Sequence, residues 1–350
     1  MAGSQRSVLF LSSNARQRYT EDILVALAQP PGALVRMRYQ ARHVAPALRR
    51  WVADRSVVGR SCVVAFVADR QSGSPFLLPV RHALVADAEC AAGVCVFRLR
   101  MGDYTDLDDY PVTEDELRAE GHRYLDQLIA LNDGQFYLAT GCFPSRSMAN
   151  DGMHSGPARW AGAAGRLAQH PTFRDSYFIR IDEPVLDRGG PVPFDEQGRL
   201  LLSDRRAVRL KVWFRTHGSV EGDERRLSCV TDGAHLRISF EDFCDIGSPY
   251  DAVEFWLQPS PVGFDALTRV TVAHGREGEH PEISAGFPVV VRRSRSRLLT
   301  RVTLSALGAF MIGLPAIVGA DSPLLVRVLF AIVGTALLSV STIAIVRGGS

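Results

Sequence analysis

Lysine is almost missing from this chain: Lys211 is the only one in 350 residues, so nearly every basic side chain is an arginine. The motifs of common enzyme folds are missing too. There is no GxGxxG, P-loop or GxSxG, so dinucleotide, nucleotide and hydrolase readings lack the phosphate cradle or nucleophile that their chemistry requires. The six cysteines, Cys62, Cys90, Cys95, Cys142, Cys229 and Cys244, contain no CxxC pair, which argues against a zinc ribbon or a dense disulfide framework. Cys62 in SCVVAFV and Cys95 in GVCVF sit inside apolar runs, so buried, reduced thiols are expected. The N-terminus offers only about five apolar residues in a row, too few for the apolar core of a signal peptide. No internal repeat is found.

Charge is present but unevenly placed. Residues 1–102 hold fourteen arginines against six acidic residues, a net of +8. Residues 1–290 together hold 33 basic and 37 acidic residues, a net of −4, so the overall +2 comes from arginines near the C-terminus. A charge argument for nucleic-acid binding by the whole chain therefore fails.

Two uncharged stretches stand out, residues 302–320 and 328–346. As helices at about 1.5 Å per residue each reaches about 28 Å, close to the thickness of bilayer hydrocarbon. Arg292, Arg293, Arg295, Arg297 and Arg301 precede the first and Arg347 follows the second, whereas Arg327 alone stands on the turn side. The positive-inside rule then predicts a two-span hairpin in the cell membrane, both chain ends cytoplasmic, with the lipid bilayer as a partner. Thr335, Ser339 and Thr342 share one face of the second stretch, a stripe for close helix packing or for lining a pore in a homo-oligomer.

The predicted fold class is α+β: a small mixed α+β N-terminal domain, an antiparallel β-sandwich, and the helical hairpin. Residues 1–110 alternate strand and helix, with strands at 8–13 and 33–40 and an amphipathic helix carrying Val44, Leu48, Trp51 and Val52. Thr20 is expected to cap the first helix, and DAECAAG to turn between two antiparallel strands. Residues 111–174 read as a helix opened by a Thr113–Glu116 capping box, then a Gly/Ser/Pro-rich connector with a short helix near Trp160. Residues 175–291 read as seven or eight short strands, the clearest being VRLKVWFR, where Val208, Leu210, Val212 and Phe214 face one way. Residues 292–350 complete the chain as the hairpin.

The strongest functional hint is the arginine density of the first unit. Arg36 and Arg38, two apart on a strand, project from one face; Arg42 and His43 follow, and Arg81 comes later. Such a set suits a phosphate, a nucleotide or another anionic partner. A Cys–His pair from Cys142 with His154 or His170 lacks any sign of a positioned base. His217, Cys229, His235 and Cys244 have no metal-ligand spacing, and the acidic run at 102–111 lacks the spacing of a calcium loop. The reading is a membrane-anchored cytoplasmic sensor or adaptor that binds an anionic small molecule or protein. A membrane-tethered enzyme and a structural scaffold are the alternatives. No catalytic residue, cofactor or metal is assigned.

Overall fold

The computed structural model describes residues 6–14, 17–68, 76–105, 139–144, 156–204, 206–218, 225–276 and 278–293. Toward the C-terminus it describes 303, 305–310, 312, 328–336 and 339. The apolar run near the N-terminus becomes strand β1 (Arg6–Ser13), buried on both sides, with Val8 and Phe10 on one and Leu9 and Leu11 on the other. Strand β3 (Ser61–Ala68) runs parallel beside it, Val8 opposite Cys62 and Ser13 opposite Val67. Unbroken apolar sequence is what a central strand covered on both faces needs.

Between them the chain makes helix α1 (Gln17–Ala28), strand β2 (Leu34–Gln40), the 3-10 turn η1 (Ala41–His43) and helix α2 (Pro46–Ala53). Ile23, Leu24 and Leu27 form the buried stripe of α1. Pro46 opens α2, where its missing N–H leaves no bond unmade. Thr20 is not a cap: α1 begins at Gln17, and the Thr20 hydroxyl donates back to the Gln17 carbonyl at 2.6 Å.

Strands β4 (Phe76–Ala91) and β5 (Val94–Tyr104) form a long hairpin, and β6 (Ala139–Pro144) completes a six-stranded sheet in the order β2-β5-β4-β3-β1-β6. The segment expected to be a seven-residue turn is mostly strand. Only Ala92 and Gly93 turn, with φ of 49° and 76°, because a two-residue loop with both central φ positive matches the twist of the strands it joins. One consequence overturns the expectation of reduced thiols throughout: Cys90 and Cys95 face each other across the hairpin and are disulfide-bonded.

Helix α3 (Gly156–Leu167), which buries Trp160, and the turn η2 (Pro171–Phe173) lead into the second unit. It has two five-stranded sheets. One joins β12 (Leu236–Ser239), β14 (Tyr250–Pro259), β10 (Val208–Thr216) and β7 (Tyr177–Ile181), with β8 (Val185–Leu186) also on β10. The other joins β13 (Phe243–Asp245), β11 (Arg225–Val230), β15 (Ala266–Arg276), β16 (Ile283–Arg292) and β9 (Leu200–Ser203). Val208, Leu210, Val212 and Phe214 of β10 are buried, and they join Leu227, Val270, Val272 and Phe287 in one core. The pairing is not wholly antiparallel, since β9 lies parallel to β16.

The two units share that core. Helix α1 packs on the six-stranded sheet with one side and on β7 and β16 with another. Phe66 meets Phe173 at 4.8 Å between ring centres. The Gln29 side-chain amide donates to the Gly286 carbonyl at 3.1 Å, and Arg100 donates to the Glu196 carbonyl at 2.7 Å.

Two broad expectations need correction. The protein is mostly β rather than α+β: among the described residues strands make up 48%, in three sheets, and five helices, two of them single 3-10 turns, precede residue 293. The second concerns the hairpin. No helix among the described residues is long and apolar enough to cross a membrane, which overturns both the two predicted spans and the two-span membrane location drawn from them. Residues 303, 305–310, 312, 328–336 and 339 are helical. Absence of charge measures how apolar a stretch is, not how far a helix runs. The two pieces touch at Gly334, where an added Cβ would lie 2.8 Å from the Gly308 carbonyl oxygen and 2.6 Å from Ile312. The remainder of both stretches, including Thr342 and Arg347, lies outside the described residues, as does the Thr113–Glu116 box.

Candidate functional site

Strand β2 is the edge of the six-stranded sheet, and its side chains alternate strictly. Val35 and Met37 are buried beneath the helices with Leu48 and Val52 of α2, so Arg36 and Arg38 must stand on the opposite, exposed face. The β2–β5 register sets Arg36 directly across from Arg98, and Leu34 across from Arg100. On the next strand Asp87 stands opposite Arg98 and Glu89 opposite Val96. The face is therefore a three-strand platform carrying Arg36, Arg38, Arg98 and Arg100 against two carboxylates.

The pairing of those charges is lopsided. Asp87 is shared, 3.5 Å from Arg55 and 3.8 Å from Arg98. Arg36 and Arg38 make no hydrogen bond or ion pair among the described residues, and both are exposed. The bonds from Met101 N–H to Ala33 O and from Ala41 N–H to Gly93 O fix which β2 residues bond to β5. By that alternation Arg36 and Arg98 form a non-hydrogen-bonded pair, the closer kind, where like charges repel.

The other residues singled out from the sequence divide. Arg42, in η1 just past β2, donates to the Gln40 side chain at 2.9 Å and to His43 Nε2 at 3.3 Å, so both border the platform at its hairpin end. Arg81 does not belong to it. It points into the core with no exposure, and its guanidinium closes the C-terminus of α1, donating to the carbonyls of Ala26 and Gln29 and, at 2.8 Å, to that of Gly102. Its plane lies 4.3 Å over the ring of Tyr104, whose hydroxyl donates to the Leu27 carbonyl at 2.7 Å. Burial pushes the Arg81 pKa down from its ordinary value and the Tyr104 pKa up. Arg292 and Arg293 are described at the end of β16, where Arg293 Nη1 donates to Gly263 O at 3.2 Å; Arg295, Arg297 and Arg301 lie outside the described residues. Thr335 and Ser339 hydroxyls donate to the carbonyls four residues earlier, at 2.7 and 2.8 Å.

Cys142 lies on β6 and His154 is outside the described residues. His170 is buried edge-on to Phe66 and accepts from the Thr172 N–H at 3.2 Å. Burial pushes the Cys62 thiol pKa up and the Cys229 thiol to about 12, far from the thiolate a nucleophile needs. No metal-holding cluster occurs among the described residues.

A groove of about 330 Å³ lies on the outer face of β11 and β15. Arg226 spans it, 2.7 Å from Asp245 and 4.4 Å above the ring of Phe243, and Arg276, Glu279 and Asp242 also line it. Its charges balance, so it selects no sign of ligand.

Arg98 and Arg100 were not foreseen. The signal was available: FRLR at 97–100 repeats the Arg-x-Arg spacing of VRMR at 35–38, but only strand pairing brings the two together. No known family model matches the sequence, and no curated protein matches it.

Proposed function

We propose that this protein is an interaction module, a sensor or adaptor, that binds an anionic partner through the arginine platform of β2 and β5. What carries the reading is the direct opposition of Arg36 and Arg98 beside Arg38, with neither Arg36 nor Arg38 matched by a carboxylate among the described residues. Repelling charges held face to face on a rigid sheet cost stability, and an anion placed between them relieves that repulsion. Guanidinium groups suit carboxylate and phosphate alike because each offers a planar pair of donors. The sheet is held by a core on its other face, so the four arginines are presented on strands rather than on loops.

The test is binding of labelled anionic probes (polyglutamate, an oligonucleotide and an inositol phosphate) to the full chain over a range of salt. At least one should bind with affinity that falls as salt rises. The Arg36→Glu/Arg38→Glu variant should bind that probe about tenfold or more weakly, which corresponds to about 1.4 kcal/mol. Equal affinity of the variant and the parent chain would refute the platform.

A further inference from the structure

We propose that the anionic partner is an acidic, extended segment of polypeptide that adds to the outer edge of β2 as a seventh strand. The inference rests on the platform reading above and goes further by naming the chemistry of the partner.

Strand β2 ends the sheet, so one side of its backbone has no neighbouring strand among the described residues. The bonds at Ala33–Met101 and Ala41–Gly93 place the N–H and C=O groups of Val35, Met37 and Tyr39 toward β5. Those of Arg36, Arg38 and Gln40 therefore point outward. The outward groups of Arg36 and Arg38 make no backbone hydrogen bond among the described residues, whereas the Gln40 carbonyl is engaged as the N-cap of η1. The Leu34 end is closed by the sandwich: Gly198 approaches so near that an added Cβ would lie 2.3 Å from Leu34 Cγ. What is left open is Arg36 to Gln40, about 16 Å of edge.

The same two residues thus supply both halves of a docking signal. Their backbones offer alternating donors and acceptors, and their side chains offer positive charge on one face. A nucleic acid or a free phosphate answers the charge and the N–H groups but brings no donor for the carbonyls. A polypeptide strand answers all three. A second copy of β2 would set arginine against arginine, so charge selects against self-pairing. In an added strand, residues opposite Arg36 and Arg38 share their face, so Asp or Glu is wanted at alternate positions. The residues between them fall on the side of Met37 and the half-buried Tyr39, where Val, Ile or Thr fits a pleated strand.

The experiment uses the full chain and a fluorescent peptide with the core Glu-Val-Glu-Val-Glu, read by anisotropy. Two further peptides keep every charge: one is N-methylated on the glutamates, the other on the valines. Strand addition predicts that one alternate set of methyl groups weakens binding about tenfold or more while the other set leaves it unchanged. Loss on the glutamate set marks antiparallel addition and loss on the valine set marks parallel addition. Equal effects from the two sets, whether none or full, overturn strand addition. If the oligonucleotide or the inositol phosphate binds in an Arg36/Arg38-dependent way and the peptide does not, strand addition fails and the platform stands. If the peptide binds equally to the Arg36→Glu/Arg38→Glu variant, or no anionic probe binds, both fail.

Discussion

Arg81 shows how far a single side chain's role depends on the parity of its strand. It lies on the core side of β4 and satisfies the open carbonyls of a buried helix end, which only a long donor-rich side chain can do from that distance. A guanidinium with no exposure would be strongly unfavourable unless matched, and the partial negative charge of a helix C-terminus matches it. Arg81→Leu should therefore destabilise the fold by about 3–5 kcal/mol, read as a fall in the urea midpoint. It should leave anionic-probe binding by the remaining folded protein unchanged. Loss of binding without loss of stability would return Arg81 to the site. Nothing in the local sequence separates this arginine from Arg36 or Arg38. The difference is which way the strand turns it.

At the scale of elements, the β4–β5 hairpin decides the geometry of the platform because it carries Arg98, Arg100, Asp87 and Glu89. Its register is held at the tip by the Cys90–Cys95 disulfide and by the two-residue turn. Ala92 takes φ 49° there, a conformation in which a Cβ crowds the backbone and glycine does not. Ala92→Gly should raise stability by about 0.5–1 kcal/mol, visible as a higher urea midpoint with an unchanged slope. A decrease would mean that Ala92 makes contacts offsetting the strain. The inward stripes of α1 and β10 were legible because helical and strand periodicities are local properties. The end of β4 was not, since the polar, small residues of DAECAAG read as a loop until cross-strand pairing with β5 is known.

For the molecule as a whole, the contact between the sheet and the sandwich is what gives the open edge its length. Gly198 sits at φ 67° directly over Leu34, so it meets both a conformational and a steric demand. Gly198→Ala should weaken the packing of the 194–198 loop on β2, and should lower the midpoint of thermal unfolding by several degrees. The shift should be reproduced in part by Arg100→Ala, which removes the bond to the Glu196 carbonyl. An unchanged midpoint would show that the loop is not a joint. The same joint explains why two units with different patterns in sequence share one core, through α1 between the sheet and the strands β7 and β16.

Sequence alone determined what depends on neighbours a few residues apart: the buried stripe of α1, the alternation of β2 and β10, Pro46 at a helix start, and a basic first unit. It also established that arginine, not lysine, bears the positive charge. Tertiary structure decided everything that depends on pairing between distant segments. It set Arg98 against Arg36, took Arg81 into the core and joined Cys90 to Cys95. It also left β2 at an edge and gave the apolar C-terminal stretches no membrane-length helix among the described residues. The physical reason is common to all of these: periodicity tells which face a residue shares with its own element, while register and layer order decide what that face meets.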